Sequence, residues 1–325
     1  MLRLSAISLL LLLSIPYVSA HGFVYKVGIA TETYIGNIPN AEPTSSIVRQ
    51  IDTVDPVKGA NNSFLNCGQD AQLASNITEA NPGDPMSFLW TGGDLSRWPH
   101  NIGPMLTYMT SCSSTDCTTF NSSQAKWFKI AQVGRIPGDS DGTWFQNNLY
   151  SQDGVPANVT LPANILPGAY LIRHEIIALH LATVLGGAEF YPSCSQILVT
   201  GSGTGAPTDD ELVLLPGAYT DEDPGILVPD VFNTPPPPYT FPGPPIAAFV
   251  GVASSPAVSG SGSTPTPTVS ASAPTSSSSS STTGKTCKLK RVSNSTLTKR
   301  EEVVPQRHLS RLVRGLAFAL GGRTH

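Results

Sequence analysis

Charge is scarce in this chain. Asp, Glu, Lys and Arg make up 13% of its 325 residues, and aromatic residues 7%. Such a chain, with 29 Gly and 29 Pro, does not read as a helical bundle; it has the profile of a loop-rich, secreted β protein. Long apolar runs are also missing. Leu9 to Ile15 is too short to span a bilayer, and no later stretch reaches the ~20 residues a spanning helix needs. Cysteine is sparse and odd in number: Cys67, Cys112, Cys117, Cys194 and Cys287. One must be left over, and Cys287 lies outside the part that can pack. The body lacks a basic face. Ten Lys and Arg follow Gly284 against Glu301 and Glu302, so this tail carries about +8, while the whole chain is at −4. The body before it is therefore acidic, which excludes nucleic acid as its partner, because phosphate needs a basic surface. A neutral polymer such as a polysaccharide is compatible with it.

What is present has a clear order. Met1 to Ala20 has the parts of a secretory signal peptide: Arg3, the apolar run Leu9 to Leu13, and Val18-Ser19-Ala20 as a small-residue cleavage site. Residues 21–250 read as one domain. Short apolar runs (His21 to Ile29, Ser87 to Trp90, Met105 to Met109, Trp127 to Val133, Ala169 to Leu179, Ser195 to Thr200) alternate with Pro-Gly and Gly-Asp turns. Glu175 to Leu181 alternates only weakly, as in a strand buried on both faces. This predicts an all-β fold, a β-sandwich of the immunoglobulin or fibronectin III kind, with long loops over Ile35 to Asn66 and Thr204 to Pro245. Residues 251–284 are a Ser/Thr/Pro-rich linker. Residues 285–325 form a basic, disordered tail with a short amphipathic pattern at Leu309, Leu312, Val313 and Leu316, and the pair Lys299-Arg300 that processing proteases cut. Asn61, Asn76, Asn121, Asn158 and Asn294 stand in N-x-S/T triplets and are candidate glycosylation sites.

The chemistry starts at the cut. Cleavage after Ala20 frees the α-amine of His21, and that amine and the ring Nδ1 can close a chelate on one ion. An α-amine titrates near pH ~8 and an imidazole near ~6.5, so both lose a proton readily. One more imidazole completes a three-nitrogen site, and nitrogen sites of tetragonal shape suit Cu(II). His100, in the turn-rich segment Trp98-Pro99-His100-Asn101-Ile102-Gly103-Pro104, is a loop histidine placed to be that imidazole; taken alone it is equally a surface histidine. Tyr191, three residues before Cys194, is placed to offer a phenol oxygen; taken alone it is a core tyrosine. His174 and His180 have even spacing, so on one extended strand they share a face. At ~3.3 Å per residue they are too far apart to hold one ion.

These residues resemble a known family. His21-Gly22, Ser46-Ile47-Val48-Arg49, Asp55-Pro56-Val57, Leu65-Asn66-Cys67-Gly68, the segment Trp98 to Pro104, Arg173 to His180, Phe190 to Cys194, Pro216-Gly217-Ala218-Tyr219 and Asp223-Pro224-Gly225-Ile226 occur in the order found in fungal lytic polysaccharide monooxygenases of auxiliary activity family nine. The resemblance implies one copper ion held by His21 and His100, with Tyr191 on the axial position. It makes His174 the histidine that hydrogen-bonds the oxygen species. It also implies the disulfides Cys67–Cys194 and Cys112–Cys117, the first worth roughly 3–5 kcal/mol in the chain-entropy account. The family usually has glutamine two residues before the axial tyrosine, and here that residue is Glu189. A carboxylate only accepts hydrogen bonds where an amide also donates, so Glu189 is expected either to be protonated or to alter the oxygen chemistry.

The implied activity is oxidative cleavage of a β-1,4-glucan such as cellulose at carbon one or carbon four. It uses an external electron donor and dioxygen or peroxide, and the chain is expected to act as a monomer. Tyr219 and Phe232 are the candidate loop aromatics that dock the glucan. Two rivals stand beside this reading. A hydrolase needs a marked pair of flanking carboxylates, and no such pair is marked. A non-catalytic copper- or wall-binding protein would keep the same copper grip by His21 and His100, a histidine brace, but give no oxidised products.

Overall fold

The computed structural model describes residues 20–113 and 115–251. The expectations for the signal peptide before Ala20, for the linker and basic tail after Gly251, and for Cys287 and Asn294 fall outside these residues.

Two sheets face each other. The smaller has the order β2-β1-β4-β7, built from β1 (Gly22–Ile29), β2 (Glu32–Ile35), β4 (Pro85–Gly92) and β7 (Ala157–Thr160). The larger has the order β10-β6-β5-β8-β9-β3, built from β3 (Thr78–Ala80), β5 (Met105–Ser113), β6 (Lys126–Val133), β8 (Gly168–Ala178), β9 (Glu189–Val199) and β10 (Val213–Leu214). Neighbours pair antiparallel, except that β3 runs parallel to β9. Among the described residues the α-helical content is one turn, α1 (Asn147–Ser151), and no helix is long and apolar enough to cross a membrane. This is the predicted β-sandwich.

The strand periodicity of two explains the two cores. In β8, Ile172, His174 and Ile176 face Val27, Phe88 and Trp90 of the small sheet. Leu171 and Ile177 lie on the other face, in a second core with Leu65, Cys67, Phe190, Tyr219 and Ile226. That second core is roofed by the two long loops. β8 is therefore buried on both faces, which is why its apolar pattern hardly alternates. The strand stops at Ala178, short of the Leu181 expected from sequence, and a turn over residues 180–183 follows. β9 starts at Glu189, six residues before the Ser195 run. Glu189, Ser193 and Pro192 hide it from an apolar reading, yet Ala178↔Glu189 begins an unbroken ladder with β8.

The loops are tied to this frame. Cys67–Cys194 joins the first long loop to β9, and Cys112–Cys117 closes a short loop after β5. Arg173 on β8 donates to the carbonyls of Leu65 and Asn66 and forms a two-fold pair with Glu175, at 2.9 and 2.6 Å. Of the acceptor triplets, Asn61, Asn76, Asn121 and Asn158 are exposed, as a glycan requires.

Candidate metal centre

His21 is the last residue before β1. Ala20, ahead of it, is exposed and outside any regular element. Gly22 pairs with Gly92 across the ladder. A Cβ at Gly22 would run into the Thr91 carbonyl. Glycine therefore lets the chain lie flat on β4 and delivers the His21 ring at the sandwich edge.

His100 arrives from the loop between β4 and β5. Gly103 has φ +130° and packs where a Cβ would strike the Ile177 carbonyl, so only glycine brings this loop onto β8 without strain. Backbone bonds from Ile177 N to Pro104 O (3.1 Å) and from Leu179 N to Ile102 O (2.9 Å) fix it there. Buried Trp98 stands edge-on to both His100 (5.3 Å) and Tyr191 (4.9 Å). Tyr191 comes from β9, and its hydroxyl lies 3.0 Å from His100 Nε2. The His21 ring completes the group, with centroids 6.4 Å from both His100 and Tyr191. The three residues expected to hold copper thus meet at one edge of the fold. The His21 Nδ1 lies 3.2 Å from Asp55 Oδ1.

The electrostatics suit a metal. Burial, then the nearby His180, lowers the His100 pKa to about 4 against the pull of Glu189, so the imidazole keeps its lone pair at neutral pH. Burial, then Glu189, raises the Tyr191 phenol, so it stays protonated and offers a neutral oxygen. The His21 and His100 rings, the Tyr191 phenol and the amine that cleavage after Ala20 would free form a donor set that fits Cu(II).

Two expectations need correction. His174 is not at the site. It is a fully buried core histidine whose Nδ1 accepts from Trp90 Nε1 at 3.1 Å and whose ring stacks on Phe88 at 4.4 Å. Burial, then Arg173, takes its pKa down to about 3. The histidine beside the brace is His180. It lies past the end of β8, stacked on His100 at 4.6 Å, with Nε2 3.8 Å from Glu189 Oε2. Reading both histidines on one strand hid this. The signal for the turn was Gly186-Gly187. Among the described residues, His100, His180 and Glu189 also form a group whose ligand atoms all lie within 4.8 Å of one another.

The second correction is Tyr219. It is 1% exposed; its hydroxyl donates to Glu175 Oε2 at 2.9 Å and lies 2.8 Å from the Tyr108 hydroxyl. It satisfies the buried carboxylate and has no face to offer a polymer. Phe232, by contrast, is 59% exposed and borders a depression with Asn101, Trp144 and Asn147, next to the His100 loop.

Glu189 is buried, with Oε2 accepting from the Tyr191 hydroxyl at 2.9 Å and Oε1 3.2 Å from Lys58 Nζ. Burial pushes its carboxyl up, but the Tyr191 hydrogen bond, Lys58 and His180 outweigh this and hold it below the usual value. The protonated alternative for Glu189 is therefore not supported.

Residues 21–239 match Auxiliary Activity family 9, formerly GH61. The chain is 50% identical over 239 residues to AA9 family lytic polysaccharide monooxygenase D of Gloeophyllum trabeum, covering 74% of this chain and 67% of that one. It is 35% identical over 238 residues to lytic polysaccharide monooxygenase B of Heterobasidion irregulare, covering 71% and 93%. Among solved structures, a cellulose-active polysaccharide monooxygenase from M. thermophila superposes with a TM-score of 0.60 at 33% identity, covering 70% of this chain and 98% of that one. The chain belongs to Auxiliary Activity family 9 and is a copper-dependent lytic polysaccharide monooxygenase by that membership.

Proposed function

We propose that this is a secreted enzyme that cleaves β-1,4-glucan, cellulose in the first instance, by oxidising carbon one or carbon four of a sugar. An external electron donor and dioxygen or peroxide are its co-substrates. The observation that carries this reading is the meeting of His21, His100 and Tyr191 at one edge of the sandwich, with His21 directly after the small-residue pattern Val18-Ser19-Ala20. His21, through the amine that cleavage would free and its ring, and His100 would hold the copper, with the Tyr191 phenol oxygen beside them. Bound there, copper would supply one-electron redox chemistry.

The protein's own residues set the conditions. Trp98 braces the His100 and Tyr191 rings so that neither reorients. His180 is held below the ordinary histidine pKa by burial, against Glu189. Its neutral ring is thus placed to hold or pass a proton beside the site. Phe232 offers an exposed ring on which a sugar face can stack. The cellulose preference draws support from the cellulose-active relative.

The test is product analysis of mature, copper-loaded protein on cellulose with ascorbate. Aldonic acids or keto sugars that depend on both copper and ascorbate are expected. Plain reducing ends without reductant would refute the reading.

A further inference from the structure

The two oxygens of the Glu189 carboxylate have different partners. Oε2 accepts from the Tyr191 hydroxyl at 2.9 Å and lies 3.6 Å from His100 Nε2 and 3.8 Å from His180 Nε2. Oε1 lies 3.2 Å from Lys58 Nζ, and the same ammonium donates to the Gly187 carbonyl at 3.0 Å. Lys58 follows Val57, which exchanges two backbone hydrogen bonds with Phe190 at 2.9 and 3.0 Å. The lysine is thus hung beside the start of β9, and its head bridges the residues two apart at Gly187 and Glu189.

We infer that Lys58 is a positioning residue for the copper site: it holds one carboxylate oxygen of Glu189 and offsets its charge, so that Tyr191, His100 and His180 face an oriented ion pair. The inference rests on the brace described under the proposed function.

The argument is one of charge and geometry. The Glu189 side chain is 6% exposed. A carboxylate buried to that degree is costly unless paired. Unpaired, it would set a full negative charge within 4 Å of the His100 and His180 nitrogens and favour the higher charge state of a cation held by His21 and His100. Lysine is a compact charge with several donors, and here two of those reach different acceptors. The lysine side chain is 44% exposed, so water reaches the pair from the Lys58 side only.

The experiment compares Lys58→Met, Lys58→Arg, Glu189→Gln and the double variant Lys58→Met with Glu189→Gln, as mature secreted protein. The readouts are the Cu(II) electron spin resonance spectrum and Cu(II) against Cu(I) affinity by chelator competition, with thermal melting as the control for folding. Lys58→Met is expected to change the spectrum and raise Cu(II) over Cu(I) affinity by about tenfold, the scale of one unit charge lost nearby at an effective dielectric of ~20. Lys58→Arg keeps the parent behaviour. Glu189→Gln shifts the ratio the opposite way, and in that background Lys58→Met changes the spectrum and the ratio far less than it does in the parent, because Lys58 acts through Glu189. A Lys58→Met protein with the parent's spectrum and ratio, or a double variant equal to the sum of the singles, overturns the inference while leaving the brace intact. A parent protein without a nitrogen-bound Cu(II) signal overturns the brace, and the inference with it.

Discussion

His100 and His174 are both held neutral by burial, yet to different ends. His100 is poised as a ligand, whereas His174 is a hydrogen-bonded core residue. The folded pKa of His174, about 3, lies below the ~6.5 of an unfolded histidine. Between those values the unfolded chain binds more protons. Stability from this residue is full above pH ~6.5 and falls toward pH ~3, by up to about 1.4 kcal/mol per pH unit. Melting temperature should therefore drop on acidification. The drop should be shallower in His174→Gln, which keeps an acceptor for Trp90 but does not titrate; an unchanged slope would disprove the assignment. His180→Ala should lower turnover on cellulose by about 10–100-fold while Cu(II) affinity changes far less, measured by product release and chelator competition. Tyr219→Phe leaves Glu175 short of a donor. It should cost about 1–3 kcal/mol in denaturant unfolding and leave cellulose binding untouched, the reverse of what a docking aromatic would show.

At the level of elements, two close backbone approaches bring the candidate ligands together. Gly22 lies on β4 and Gly103 on β8, and each carries the histidine next to it or three residues away. Gly103→Ala should destabilise the fold by about 2–4 kcal/mol, through positive φ and the clash with Ile177. It should also weaken copper binding by displacing His100, read by melting and by titration. The strands carrying a long apolar run were legible in sequence: β1, β4, β5, β6 and β8 match the runs found there. The end of β8 was not. Leu179, His180 and Leu181 continue the apolar pattern, and only the turn back toward β9 shows that the backbone has left the ladder. β2, β3 and β10 span two to four residues, too few for a period to register. They exist because a neighbouring strand or loop offers an edge.

For the whole molecule, the position of the first mature residue outweighs its surroundings. One additional residue before His21 would turn the amine into a peptide nitrogen. Affinity for Cu(II) should fall by at least about 100-fold, with the fold and melting curve of the sandwich otherwise retained, as checked by calorimetry of the extended and mature forms. Chain order was sufficient for the β class and for the candidacy of His21, His100 and Tyr191, because strand period and ligand chemistry are local properties. It could not say which of His174 and His180 stands beside the brace, that Tyr219 is buried under Glu175, or that Lys58 reaches Glu189. Those depend on where β8 stops and which loop roofs the outer core, contacts between residues tens of positions or more apart that no local pattern encodes.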